Sequence, residues 1–283
     1  MDSKDIRFQI LQALSQDEEL YDALVFKGGN ALQLIHGIGD RASLDLDFSL
    51  AEDFPDWEAV GRRLEKNLED FFAVKGVRVF DFRFYKRPLE PSNPRWGGYA
   101  AEFKLIAREK FTELKKNIED VRRQAIRVLP YLPNTTFKIE ISKFECVERS
   151  EIADIEDGSL RVYAPELIAA EKLRAICQQM DAYEHQNSAA PRPRDFYDIF
   201  SICQARALNL RSPTFVELLD PVFAAKEVPL QFIAAIRDEF DLHASGWDGV
   251  ASSIRNPEEF SFYFDYVVER LPDSKTLGIE ELP

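Results

Sequence analysis

Arg41-Ala-Ser-Leu-Asp-Leu-Asp-Phe-Ser-Leu50 alternates apolar and polar side chains over its last seven residues. Such alternation marks a half-buried strand, because successive side chains point to opposite faces of a sheet. Leu44, Leu46, Phe48 and Leu50 then face a core, while Asp45, Asp47 and Ser49 face away from it. Two carboxylates two residues apart on one strand face lie about 7 Å apart at the backbone, and their side chains can converge on one hard cation. Mg²⁺ takes oxygen ligands and is held by one or two carboxylates together with substrate phosphates. A lone Asp-x-Asp is more often the charged face of an edge strand, so the pair gains meaning only from its surroundings.

Downstream, Thr135 to Ser142 alternates again, with Phe137, Ile139 and Ile141 on one side and Lys138, Glu140 and Ser142 on the other. If this strand neighbours the first, Glu140 completes a three-carboxylate cluster, and three acids on one face repel unless a cation neutralises them. Upstream, the apolar run Ala23 to Phe26 ends in Lys27-Gly28-Gly29-Asn30, and Asn30 to His36 reads as a helix stopped by Gly37 and Gly39. Glycines let backbone amides approach an anion closely, and a helix N-terminus favours a phosphate. A bare double glycine is usually a tight turn; here it immediately precedes the acidic strand.

The remaining first half alternates helices and strands. Residues 4–15 have Ile6, Ile10, Leu11 and Leu14 at helical spacing, and a helix is expected from Trp57 to Phe72. Strands are expected over Gly76 to Tyr85 and Tyr99 to Ala107, with a proline- and glycine-rich loop at 87–98 between them and a helix over Glu109 to Leu129. From Ala164-Pro165 onward only helices and loops are predicted, including a poorly apolar loop from His185 to Arg194. The chain therefore divides near residue 160, giving an α/β half over 1–160 and an all-helical half over 161–283.

The helical half offers two candidates. Lys172 shares a line with Ile168 and Ile176, so it must snorkel, pair with an acid or line a cleft, and snorkelling is the ordinary outcome. Asp195 opens a helix at the edge of the stripe Phe196, Ile199, Phe200 and Cys203, with Asp198 nearly opposite. Its ordinary role is an N-cap; its functional one is to orient Lys172.

Composition narrows the classes. The chain has 283 residues, 45% hydrophobic and 30% charged, which excludes bulk disorder. No apolar run approaches a membrane span and the N-terminus does not read as a signal peptide, so a cytoplasmic location is expected. Three scattered cysteines and three scattered histidines give neither a disulfide framework nor zinc-ligand spacing. The net charge is −14, with 5 basic and 14 acidic residues from Ser212 onward, which opposes a non-specific grip on nucleic acid. The segment Lys104 to Arg127 is the basic exception, with eight cations against four acids, and it reads first as a solvated helix face.

Phe26-Lys-Gly-Gly-Asn-Ala-Leu32, Arg41-x-Ser-x-Asp-x-Asp-Phe48, Ile139-Glu-Ile-Ser142, Glu171-Lys172-Leu173 and Arg194-Asp195-Phe-Tyr-Asp198 follow one another in an order that resembles nucleotidyltransferases of the AbiEii/AbiGii toxin type, within the DNA polymerase β-like superfamily. Asn30 departs from the usual Ser or Thr, although an amide can still donate. The spacing from the glycines to Asp45 is slightly long. The resemblance implies an α+β fold: a polymerase β-like mixed sheet with flanking helices, then an all-helical C-terminal domain, with the nucleotide between them. It implies transfer of a nucleoside monophosphate from an NTP to a hydroxyl, with pyrophosphate leaving. Asp45, Asp47 and Glu140 would hold Mg²⁺, and Glu140 would help activate the acceptor. Lys27, Gly28, Gly29, Asn30, Arg41, Ser43 and Lys172 would contact the nucleotide, and Asp195 would steer Lys172. The implied acceptor is RNA, including tRNA 3′ ends, in a toxin–antitoxin or phage-defence setting with a cognate antitoxin. Protein-directed transfer and a non-catalytic NTP- or RNA-binding module stand as alternatives.

Overall fold

The computed structural model describes residues 3–41, 43–90, 93, 96–115, 117–129, 132–185 and 188–279. Ala42, Lys116 and the Gln186-Asn187 part of the expected loop lie outside them. The chain forms two units, Met1–Asn30 with Ser43–Val162, and Ala31–Ala42 with Tyr163–Pro283.

Among the described residues the first unit is built on seven strands: β1 (Val25–Lys27), β2 (Leu46–Ser49), β3 (Val77–Arg87), β4 (Gly98–Ala107), β5 (Phe137–Ser142), β6 (Ser150–Ile155) and β7 (Gly158–Tyr163). Their order in the sheet is β3-β4-β5-β2-β1-β7-β6. β2 runs parallel to β5 and antiparallel to β1, β4 is antiparallel to both β3 and β5, and β1 is parallel to β7. The sheet is thus mixed, as the α+β reading requires.

Strict alternation on β5 buries Phe137, Ile139 and Ile141 and leaves Lys138, Glu140 and Ser142 half-buried. Around the sheet lie α1 (Ser3–Ser15), α2 (Glu18–Ala23), α3 (Gly28–Leu34) and α4 (Trp57–Ala73). The Asp56 carboxylate caps α4 by accepting from the Ala59 amide at 2.9 Å, and the helix buries Val60, Leu64, Leu68 and Phe72. Gly61 lets α4 close onto β3, since a Cβ there would stand 2.6 Å from Cδ1 of Phe84. Phe84 stacks on Tyr99, and Phe103 on Phe137, so this face of the sheet is aromatic. The acidic side chains of β2 and β5 belong to the opposite face.

Two expectations are corrected. The helix expected over Glu109 to Leu129 is two short helices, α5 (Arg108–Leu114) and α6 (Ile118–Arg123). Asn117 starts the second by accepting from the Glu119 amide, which breaks the run. β6 and β7 were not foreseen. β6 is half exposed and lacks the apolar alternation that marks a strand, whereas β7 buries Leu160, Val162 and Tyr163 over only a short run.

The second unit is helical: α7 (Pro165–Cys177), α8 (Pro193–Arg206), α9 (Pro213–Ala224), α10 (Phe232–Ala235), α11 (Phe240–Ala244), α12 (Trp247–Ala251), α13 (Phe260–Val268) and α14 (Ser274–Leu277). Pro165, Pro193 and Pro213 each occupy a first turn, where the missing N–H costs nothing. α7 packs on α8 and α9, and α8 on α13. The core between α8 and α13 is aromatic, with Phe196 against Phe260 and Phe264, and Tyr197 against Tyr263. The division between the units falls inside α3, after Asn30.

Candidate active site

In the first unit the sheet register gathers the acidic residues. Asp47 on β2 lies opposite Glu140 on β5 and opposite Lys27 on β1, so the three form one row across the sheet. Asp45 sits in the bend immediately before β2. Gly28 follows β1 with φ +74°, and a Cβ there would stand 2.5 Å from Oδ2 of Asp47. The glycine is therefore needed twice, for its left-handed backbone and for the approach of the Asp47 carboxylate. Gly29 continues the turn as the second residue of α3.

Asn30 has a different setting from the one expected. It is wholly buried, its Oδ1 accepts from Nη1 of Arg7 at 2.6 Å, and its Nδ2 donates to the Asp45 carbonyl at 2.6 Å. Arg7 also donates to the Ser43 carbonyl at 2.8 Å. The amide thus ties α3 to the segment that carries Asp45, and Ser43 takes part through its backbone. Lys27 is buried beside Glu145, with its ammonium 3.7 Å from Oε1. Glu140 accepts from both Arg87 and Lys138.

These groups fit a divalent cation in part. Asp45 and Asp47 are hard oxygen donors two residues apart in one segment, and the space that a Cβ would fill at Gly28 is held by an Asp47 oxygen. Glu140 is in register, but its Oε1 is already bound by two cations. Among the described residues no three His, Cys, Asp or Glu side chains are grouped so as to hold a metal ion.

In the second unit the sequence candidates form a buried ion cluster. The Lys172 ammonium lies 2.8 Å from Oδ1 of Asp195 and 2.6 Å from Oδ2 of Asp198. Asp198 also accepts two bonds from Arg41, at 2.7 Å from Nε and 2.6 Å from Nη2. Asp195 accepts from Nε of Arg192 at 2.5 Å. Three cations thus face two carboxylates. Burial alone would raise the Asp195 and Asp198 carboxyls, but their cationic partners outweigh it and hold both below the ordinary range. Burial would likewise lower Lys172, and the two aspartates outweigh it, so the ammonium stays charged.

Asp195 is not an N-cap, because α8 begins at Pro193. Asp198 lies nearly opposite the apolar stripe and is still buried within the cluster, because α8 is buried on several sides. Arg41, Asp198 and Arg192 together were not legible as one cluster. Arg7 and Glu145 were missed outright. Arg7 left one signal, a charge three and four residues from Ile10 and Leu11 on the apolar stripe of α1.

The family that the sequence matches gives the class: a nucleotidyltransferase. The chain matches the family described as Nucleotidyl transferase AbiEii toxin, Type IV TA system, over residues 9–261, and it belongs to that family. The fold is similar to MenT4, a nucleotidyltransferase toxin from Mycobacterium tuberculosis H37Rv, at 19% identity and a TM-score of 0.56 over 97% of this chain and 85% of that one. An antigenic nucleotidyltransferase-like protein from Paracoccidioides brasiliensis aligns at 15% identity and a TM-score of 0.38, over 92% of this chain and 97% of that one. No curated protein sequence matches the chain. Among the described residues no helix is long and apolar enough to cross a membrane.

Proposed function

We propose that this nucleotidyltransferase moves a nucleoside monophosphate from an NTP to a hydroxyl of RNA, the 3′ end of tRNA in particular, with Mg²⁺ as cofactor. The observation that carries the reading is the row of Asp47 and Glu140 on adjacent parallel strands, with Gly28 fitted against the Asp47 carboxylate. The acceptor oxygen attacks the α-phosphorus, a P–O bond forms, the bridge to the β-phosphate breaks and pyrophosphate leaves. Glu140 takes the hydroxyl proton as its ion pairs exchange. Gly28 and Gly29 offer backbone amides to the β- and γ-phosphates, with Lys27 and Ser43 beside them. Asp45 and Asp47 would hold Mg²⁺, which when bound stabilises charge on the reacting oxygens. In the second unit Lys172 and Arg41 are kept in place as fixed positive charge by Asp195 and Asp198. An antitoxin is the implied partner, phage defence the setting and the cytoplasm the location, where NTP and tRNA are both present.

The test is transfer from each α-labelled NTP to total cellular RNA with Mg²⁺, with D45A and D47A in parallel. A labelled RNA band is expected that is lost on chelation and falls at least about 100-fold in both variants, as removal of transition-state charge stabilisation does. Label that runs with protein and resists ribonuclease would replace RNA with a protein acceptor. Absence of NTP binding would overturn the catalytic reading.

A further inference from the structure

The polar face of the sheet continues past Glu140 to β3, which is an edge strand. Arg83 on β3 pairs in register with Glu102 on β4, and Glu102 with Lys138 on β5; in the next row Tyr85, Ala100 and Glu140 are aligned. Glu102 accepts from Nη2 of Arg83 at 2.5 Å and from the Tyr85 hydroxyl at 2.6 Å. Glu140 is paired with Arg87 and Lys138. The Arg83 and Arg87 side chains are 71% and 58% exposed. Here three cations meet two carboxylates, on a chain whose net charge is −14.

We propose that this β3–β5 end of the sheet holds the phosphate backbone of a single-stranded polynucleotide acceptor, and that acceptor phosphates draw Arg87 and Lys138 away from Glu140. The proposal rests on the transfer reading above, with Glu140 as the group that receives the hydroxyl proton. Guanidinium groups bind phosphate oxygens in a fork, and an aromatic ring offers a base a stacking face. Arg83 and Arg87 stand about 13 Å apart along an extended strand, with Tyr85 between them, which suits an extended backbone with splayed bases. A polypeptide acceptor carries no phosphate on its backbone. No covalent bond changes in this step: two ion pairs to Glu140 are exchanged for two to phosphate, and the carboxylate becomes available where the hydroxyl arrives. The basic segment 104–127 is a poorer candidate, because the acids paired with its Lys110, Arg122 and Arg123 are Glu113, Asp81, Glu119 and Asp120 and do not include Glu140.

The experiment compares wild type with R83Q/R87Q, R83K/R87K, R87Q/K138Q and, as a surface control, R123Q, each checked for folding by thermal melting. KM for RNA is expected to rise at least tenfold in R83Q/R87Q while KM for NTP is unchanged. R83K/R87K should recover most of that affinity, and R123Q should match wild type. The salt dependence of RNA binding should weaken by about 0.7 in log–log slope for each phosphate that the variant no longer neutralises. Transfer to water, which brings no phosphate, should increase severalfold in R87Q/K138Q, because Glu140 is no longer paired. An unchanged KM for RNA in R83Q/R87Q, or an equal rise in KM for NTP, would overturn the acceptor surface while leaving the transfer reading intact. Unchanged transfer to water in R87Q/K138Q would overturn the release of Glu140. Failure of wild type to label RNA with any NTP would remove the underlying reading itself.

Discussion

Gly28 ties the backbone and the acidic row together at one position. Any side chain there meets the Asp47 carboxylate at 2.5 Å and must also adopt a φ of +74°. The left-handed conformation alone costs an L-residue about 1–2 kcal/mol. The clash cannot be relieved without turning the carboxylate away from its row with Glu140. G28A is therefore expected to lower transfer at least tenfold while stability falls by only about 1–2 kcal/mol, as read by single-turnover assay and chemical denaturation. A loss of stability with full activity in the folded fraction would show that the Asp47 position is not critical. Asn30, two residues on, works in the opposite way. Its side chain bonds to protein groups, and it serves Asp45 through the backbone.

Helices α7 and α8 meet through charges that neither helix could bury alone. Breaking a buried pair by removing one partner typically costs about 3–5 kcal/mol, because the other charge is left uncompensated. Asp198 serves two cations, so D198N is expected to destabilise by about that amount, measured as a shift in urea midpoint. D265N, the same change on the exposed side of α13, should stay within about 0.5 kcal/mol of wild type. Local sequence carried the strands well where one face is buried, as on β5, where period-two alternation matches burial residue by residue. It failed on the hairpin β6–β7, because β6 is half exposed and need not alternate, and the alternation of β7 is confined to Leu160-Arg161-Val162. It failed also on α8, where Asp198 falls off the apolar stripe of a helical wheel and yet is buried by pairing. A wheel registers hydrophobicity, not long-range counter-charge.

Titration couples the whole chain to pH. His243 is fully buried, its Nδ1 accepts from the Arg192 amide at 3.1 Å, and burial pushes its pKa down to about 4. The unfolded chain binds a proton near pH 6.5 that the folded chain refuses until about pH 4. Stability is therefore fully retained above the unfolded value and falls across this interval as pH drops, by roughly 3 kcal/mol. Below about pH 4, Asp195 and Asp198 add a second loss, because their lowered folded values make the unfolded chain the better proton acceptor. H243N should flatten the upper interval and leave the lower one, as followed by denaturation from about pH 7 to about pH 3. An unchanged slope across the upper interval would assign the effect to other groups. What sequence could not show at this level was the assignment of Ala31–Ala42 to the second unit, since no local pattern announces a partner far downstream. Arg41 lies 157 residues before Asp198. A ribosome adding about 5–20 residues per second needs roughly 8–30 seconds to cover that gap. Throughout that interval Arg41 waits without its carboxylate, and a chain abandoned before Asp198 never completes the second unit. Synthesis thus imposes a built-in delay, so that only translation products extending past Asp198 can acquire the buried charge cluster.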